Sequence, residues 1–183
     1  WVKLMITMKS AQITRIRVDT TNNSSVKSNY PHTGNWRCAD MSSCTFFGHR
    51  DCPEVIKSKL KTTIVDLIEH QGVDMFYVGN HGTFDALVRA ALIELIPQYP
   101  SVQYAVVLAY MPQEKVCGDC YETIFPEGIE TVPRRFAINW RNKWMLRQSD
   151  FVVTYVTHSW GGAARFTEMA RKRKKIVINL VDQ

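Results

Sequence analysis

From Cys44 onward, apolar runs of strand length alternate with segments of helical period, and three of the runs lead directly into glycine-bearing turns. Such alternation implies parallel strands joined by crossover helices that cover both faces of one sheet. Cys44 to Phe47 is rich in strand formers and runs into Gly48. Pro53 to His70 then places Val55, Ile56, Leu60, Ile64, Leu67 and Ile68 at helical spacing, with Pro53 as a first helical residue and Gly72 as the stop. Met75 to Val78 predicts a second strand, followed by the loop Gly79 to Gly82 and a helix from Thr83 to Ile96 that Pro97 ends. Val102 to Tyr110 is a continuous apolar run of the kind buried on both faces of a parallel sheet.

Met111 to Pro133 lacks a period and reads as a long irregular loop. A helix over Arg134 to Gln148, a strand over Asp150 to Val156, the turn HSWGG, a helix over Ala163 to Arg173 and a last strand over Lys175 to Val181 complete the pattern. The expected fold is α/β: a Rossmann-like three-layer domain with a mainly parallel sheet of about five strands and helices on both faces. Residues 1–40, with the polar stretch Thr20 to Arg37, read as a tail or linker, and residues 41–183 as the functional domain. Val2 to Met8 has the character of a short strand within that tail.

Charge bears on the partner. The formal net charge is +6, but residues 1–40 hold six Lys and Arg against two acids, whereas residues 41–183 hold seventeen against fifteen. The folded part is therefore close to neutral, which argues against a domain-wide footprint on nucleic acid. A dense basic run, Arg171 to Lys175, falls at the end of a predicted helix, where cations complement the dipole and commonly form a solvated face. No stretch has the length of apolar sequence that a membrane span needs, so the expected setting is cytoplasmic. Five cysteines, an odd number, point to reduced thiols.

The chemistry-bearing positions cluster at the strand ends. Gly48-His49-Arg50, Gly79-Asn80-His81-Gly82-Thr83-Phe84-Asp85 and Gly161-Gly162 each follow a predicted strand, which puts all three on one edge of the sheet. Glycine admits close approach of a ligand, and a following helix offers free amides to a phosphate. Arg50 has the fork geometry to clamp an anion, or could instead pair with Asp51 or Glu54; His49 could stack on a base or carry a proton. Thr83 resembles a helix cap, and Asp85 either stabilises that helix end or accepts a ribose hydroxyl. His81 is expected to be exposed, and Asp150 to cap amides at a strand edge.

Trp140, Trp144, Tyr110 and Tyr121 could stack on a base, while the helical spacing of Trp140 and Trp144 favours packing or a subunit interface, leaving a homo-oligomer open. Cys117 and Cys120 have zinc-knuckle spacing but form only half a site, so no metal and no resident cofactor is expected.

The ordered set GHR, GNHGTFDALVRAAL, RNKWMLRQSDFVVTYV, GGAARFTEMA and KKIVINL, running from Cys44 to Leu180, resembles the SLOG superfamily and, within it, the YpsA-like branch. That resemblance implies a Rossmann-like sheet that binds nucleotides or nucleotide-derived ligands; relatives include DprA-like DNA-processing proteins and the LOG phosphoribohydrolases. The LOG branch cleaves the bond between base and ribose 5′-phosphate, and its motifs RKxxM and PGGxGTxxE supply a catalytic arginine and glutamate. Arg141 and Met145 match the first motif, with Asn142 in place of lysine; Gly161, Gly162 and Glu168 match the second. Trp160 replaces the proline, Ala164 the glycine and Arg165 the threonine that normally wrap the phosphate, so Arg165 would supply a charge in their place. By the resemblance Arg141 and Glu168 are catalytic candidates for glycosidic hydrolysis; the plainer reading is a salt bridge between helices. The leading expectation is a module that binds or senses a nucleotide-derived small molecule; the alternatives are a nucleoside 5′-monophosphate phosphoribohydrolase and a DNA-processing partner.

Overall fold

In the computed structural model, residues 14–15, 42–111 and 122–182 are described. The strands are β1 (Thr14–Arg15), β2 (Ser42–Gly48), β3 (Val73–Val78), β4 (Gln103–Val107), β5 (Glu122–Phe125), β6 (Phe151–Tyr155) and β7 (Ile176–Asn179). The helices are α1 (Ile56–Glu69), α2 (Thr83–Leu95), α3 (Arg134–Gln148) and α4 (Gly161–Lys172). All strands lie in one sheet of order β1-β5-β4-β3-β2-β6-β7. β2 to β7 are parallel, and only the two-residue β1 runs antiparallel, against β5.

The α/β Rossmann-like architecture expected from the sequence is therefore present, with six parallel strands rather than about five. The additional one is β5, inside the stretch read as irregular. Its four residues, Glu-Thr-Ile-Phe, bury only Ile124, too short a run to stand out against the non-periodic sequence before it. Helix α1 starts at Ile56, and Pro53 sits in the preceding turn, where its carbonyl accepts the Ile56 N–H at 3.3 Å. The Val2 to Met8 strand lies outside the described residues.

Both faces of the sheet are covered, which is why its central strands are apolar at successive positions and not at alternate ones. On one face Leu60, Ile64 and Leu67 of α1 and Phe84, Val88 and Leu92 of α2 pack on Phe46, Phe76 and Val78. On the other, Trp144, Met145 and Leu146 of α3 with Phe166 and Ala170 of α4 pack on Phe47, Ala105, Val107 and Val152. Asp150 caps a strand edge as expected: its Oδ2 accepts the Ser43 N–H at 3.2 Å and the Ser43 hydroxyl at 3.1 Å. Among the described residues no helix is long and apolar enough to cross a membrane.

The chain moves outward from β2 through β3 and β4 to β5, then returns across β2 to place β6 and β7 on its other side. The strand order thus reverses between β2 and β6, and in open sheets of this kind the crevice outside the carboxyl ends of those two strands is where ligands sit.

Candidate functional site at the carboxyl edge

Gly48 closes β2, Gly79 follows β3 and Gly161 opens α4 after β6, so the three turns share the carboxyl edge of neighbouring parallel strands. Backbone bonds tie them together: the His49 N–H donates to the Tyr155 carbonyl at 3.2 Å, and the Thr83 N–H to the Arg50 carbonyl at 2.9 Å. The glycines serve two different purposes. A Cβ at Gly48 would stand 2.2 Å from Phe84 Cγ, and one at Gly79 would stand 2.1 Å from an Asp85 carboxylate oxygen, so the first turn of α2 already fills that space. Beside Gly162, by contrast, the space is open, while a Cβ at Gly161 would touch His158 Cε1 at 4.0 Å, and Gly161 has φ +94°, a value that disfavours a side chain.

Thr83 is not the cap of α2. Gly82 holds that position with φ +94°, and no side chain bonds to the helix start. Asp85 points the other way, its Oδ2 accepting the His81 N–H at 3.0 Å, which braces the preceding loop. That carboxylate lies 3.9 Å from Arg141 Nη2, and both side chains are buried, 10 and 5% exposed. Arg141 Nη1 donates to Asn80 Oδ1 at 3.2 Å, and Nε and Nη2 donate to Asn142 Oδ1 at 2.9 and 2.8 Å. Its Nη1 also lies 3.2 Å from His81 Nδ1, which must accept, so the His81 proton sits on Nε2. Contrary to expectation His81 is half-buried, its ring edge-on to Tyr110 at 5.6 Å. Burial, then Arg141 and Arg50, hold its pKa below the ordinary value. Burial also pushes Asp85 up and Arg141 down, each against the pull of the other's charge.

A second cluster occupies the crevice between β2 and β6. The His49 and His158 rings stack at 3.7 Å with 24° between planes, and Trp160 extends the stack at 3.8 Å and 15°. Trp160 is 70% exposed. This three-ring platform ends at Trp160, immediately before Gly161 and Gly162 at the start of α4. His158 and Trp160 escape sequence reasoning, which treats His-Ser-Trp as a turn; the available signal is two aromatic rings immediately ahead of a paired glycine. Beyond the platform a shallow groove of about 440 Å³ runs between β6, β7 and α4, lined by Thr157, His158, Thr167, Glu168, Arg171 and Asn179.

Arg141 and Glu168 do not share a contact. Arg141 is enclosed under the β3–α2 loop, whereas Glu168 is exposed in the groove and lies 4.0 Å from Lys172. The interhelical salt bridge between them is absent: Arg141 pairs with Asp85 of α2. Arg50 and Arg165 are exposed, and among the described residues Arg50 pairs with neither Asp51 nor Glu54. Trp144 packs in the core, edge-on to Tyr77 at 5.5 Å, while Trp140 is 37% exposed and donates Nε1–H to the Glu127 carbonyl at 3.3 Å. Cys44 and Cys52 are buried free thiols; burial raises both, Cys52 to about 11, which leaves neither as a nucleophile at neutral pH. Cys117, Cys120 and Tyr121 lie outside the described residues, among which no group of side chains could hold a metal ion.

The architecture is a Rossmann-like α/β fold. Among solved structures it is similar to DNA processing protein A (DprA) from Streptococcus pneumoniae, with a TM-score of 0.57 and 13% sequence identity over 76% of this chain and 50% of that one. The chain thus spans half the length of its structural neighbour. No protein-family profile and no curated protein sequence matches it.

Proposed function

We propose that residues 41–183 form a domain that binds a nucleotide or nucleotide-derived small molecule in the crevice between the carboxyl ends of β2 and β6, in the manner of the YpsA-like branch. One coincidence carries the reading. The His49–His158–Trp160 stack, half-buried at its two imidazoles and exposed at Trp160, lies where the strand order reverses, beside a helix start with open space at Gly162. A base would extend the stack on Trp160, and a phosphate would meet the first amides of α4, with Arg165 and Arg50 as exposed cations nearby on the same rim. The adjoining loop from Gly79 to Gly82 is braced by Asp85, which accepts the His81 amide, and by Arg141, which donates to Asn80.

Hydrolysis of a nucleoside monophosphate has weaker support, because the Arg141 guanidinium is engaged with Asn80, Asn142, His81 and Asp85, away from Glu168. The fold shared with DprA and the basic end of α4 favour a DNA partner as the second reading, which predicts strongly salt-dependent binding to single strands.

Calorimetric titration with nucleoside mono- and diphosphates and ADP-ribose tests the proposal. At least one is expected to bind and to raise the melting temperature, and Trp160→Ala is expected to weaken that complex about ten- to a hundredfold, the usual range for loss of one base-stacking ring. A panel in which no nucleotide binds, or in which Trp160→Ala binds as tightly as the parent, contradicts it. Release of free base from a monophosphate in the same samples would favour the hydrolase instead.

A further inference from the structure

The two imidazoles of the crevice are held in defined tautomers. His49 Nε2 accepts the Thr157 N–H at 3.1 Å, so in the neutral ring the proton is on Nδ1. His158 Nδ1 lies 3.0 Å from the Trp160 carbonyl oxygen, which can only accept, so His158 carries its proton on Nδ1 and keeps it within its own loop. Among the described residues, Thr157 to Trp160 therefore has one side-chain bond reaching across to the turn after β2, and that bond exists only while His49 is neutral.

The ends of this segment are defined separately. Asn179 on β7 clamps Val156, accepting its N–H at 3.1 Å through Oδ1 and donating to its carbonyl at 3.3 Å through Nδ2. At the other end Gly161, at φ +94°, supplies a pivot. Between clamp and pivot lie Thr157, His158, Ser159 and Trp160, the residues that build the stack.

A proton on His49 Nε2 would set two donors against each other across the Thr157 contact. It would also place an imidazolium 3.7 Å from the face of His158. The titratable and charged groups around His49 are His158 from the loop, Tyr155 from β6, edge-on at 6.4 Å, and its own neighbour Arg50. Farther along the groove from His158 are Glu168 and Arg171. Among the described residues no carboxylate bonds to His49 to stabilise a cation there. Burial and then His158 depress its pKa accordingly.

We propose that His49 is the bolt of a proton-operated latch: neutral, it holds Thr157–Trp160 in the closed stack, and protonated, it frees that segment and dismantles the crevice. The sign follows from the depressed pKa: stabilisation of the closed loop is present above the ordinary histidine value and is lost as pH falls through the lower value in the folded protein. The consequence for ligands, weaker binding in acid, rests on the nucleotide reading above; the latch itself does not.

The test uses ligand-free protein, followed by NMR from about pH 7.5 to about pH 5, the span in which histidines change charge. The imidazole carbon-bound proton of His49 reports its protonation, and the Thr157 amide reports the contact. The Thr157 amide is expected to shift with the same midpoint as His49 and to lose at least about tenfold of its exchange protection once corrected for the intrinsic pH dependence, while the Val156 amide, held by Asn179, keeps its own. In His49→Gln the acid-induced change in Trp160 emission is expected to vanish. A Thr157 amide that stays protected after His49 has titrated, or a Trp160 transition that persists unchanged in His49→Gln, overturns the latch. Nucleotide affinity measured at both ends of the range is a separate arm. If Thr157 responds and no nucleotide binds at either pH, the latch stands and the ligand reading fails.

Discussion

Replacing Asp85 with alanine is expected to destabilise the domain by about 3–5 kcal/mol, the usual loss when one member of a buried ion pair is removed. Arg141 would keep its bonds to Asn80, Asn142 and His81, but all three are neutral partners, and its guanidinium is only 5% exposed. Nothing else among its described contacts carries a negative charge. Burial already depresses the Arg141 pKa against the opposing pull of Asp85, so without the carboxylate the cation faces that burial uncompensated. The loss should extend to the β3–α2 loop, because Asp85 also accepts the His81 amide. Asp85→Asn separates the two effects: its amide oxygen can still accept that N–H, so whatever stability it fails to restore belongs to the charge. Urea denaturation with an unchanged slope reads the difference. The double variant Asp85→Ala, Arg141→Met should cost less than Asp85→Ala alone, since it removes the stranded charge. Equal or greater loss in the double variant would mean that Asp85 acts by packing and not by charge.

The same cluster shows which parts of the site the amino-acid pattern discloses. Strand, glycine, helix recurs three times, and that order alone places the three turns on one edge, where the structure has them. The occupant of each glycine is a tertiary matter. Gly48 and Gly79 look identical to Gly161 in sequence, yet the first two make room for Phe84 and Asp85, while the third has only the edge of His158 at 4.0 Å and is set apart by its φ of +94°. The resemblance to the LOG motifs likewise pairs Arg141 with Glu168, but one is on the face of α3 turned toward the β3–α2 loop and the other on the exposed side of α4, a separation set by helix packing. The His49–His158–Trp160 stack joins residues far apart in the chain through the parallel pairing of β2 with β6, a long-range register that no local period encodes. β5 is hidden for the opposite reason: four residues supply too few alternations to reveal a strand.

Phe84→Ala is expected to cost about 3–5 kcal/mol, as large-to-small changes at fully buried aromatic positions do. Its ring is 1% exposed, lies against Gly48 and stacks on Tyr155 at 6.3 Å with 22° between planes. Tyr155 in turn stands edge-on to His49, so the cavity left by the ring opens directly beneath the crevice. Gly48→Ala attacks the same contact from the other side. Its methyl would meet the Phe84 ring at 2.2 to 2.3 Å, so the ring or α2 must move, at an expected cost of about 1–3 kcal/mol for overpacking. Combined, the two changes should not add. Once the ring is gone the methyl introduced by Gly48→Ala has room and fills part of the void, so the double variant should be more stable than the sum predicts by about 0.5–3 kcal/mol, the coupling range for residues in direct contact. A double-mutant cycle by denaturant unfolding measures this. Strict additivity would show that Gly48 is there for backbone geometry alone, and that the close approach of α2 to the end of β2 does not depend on its missing side chain.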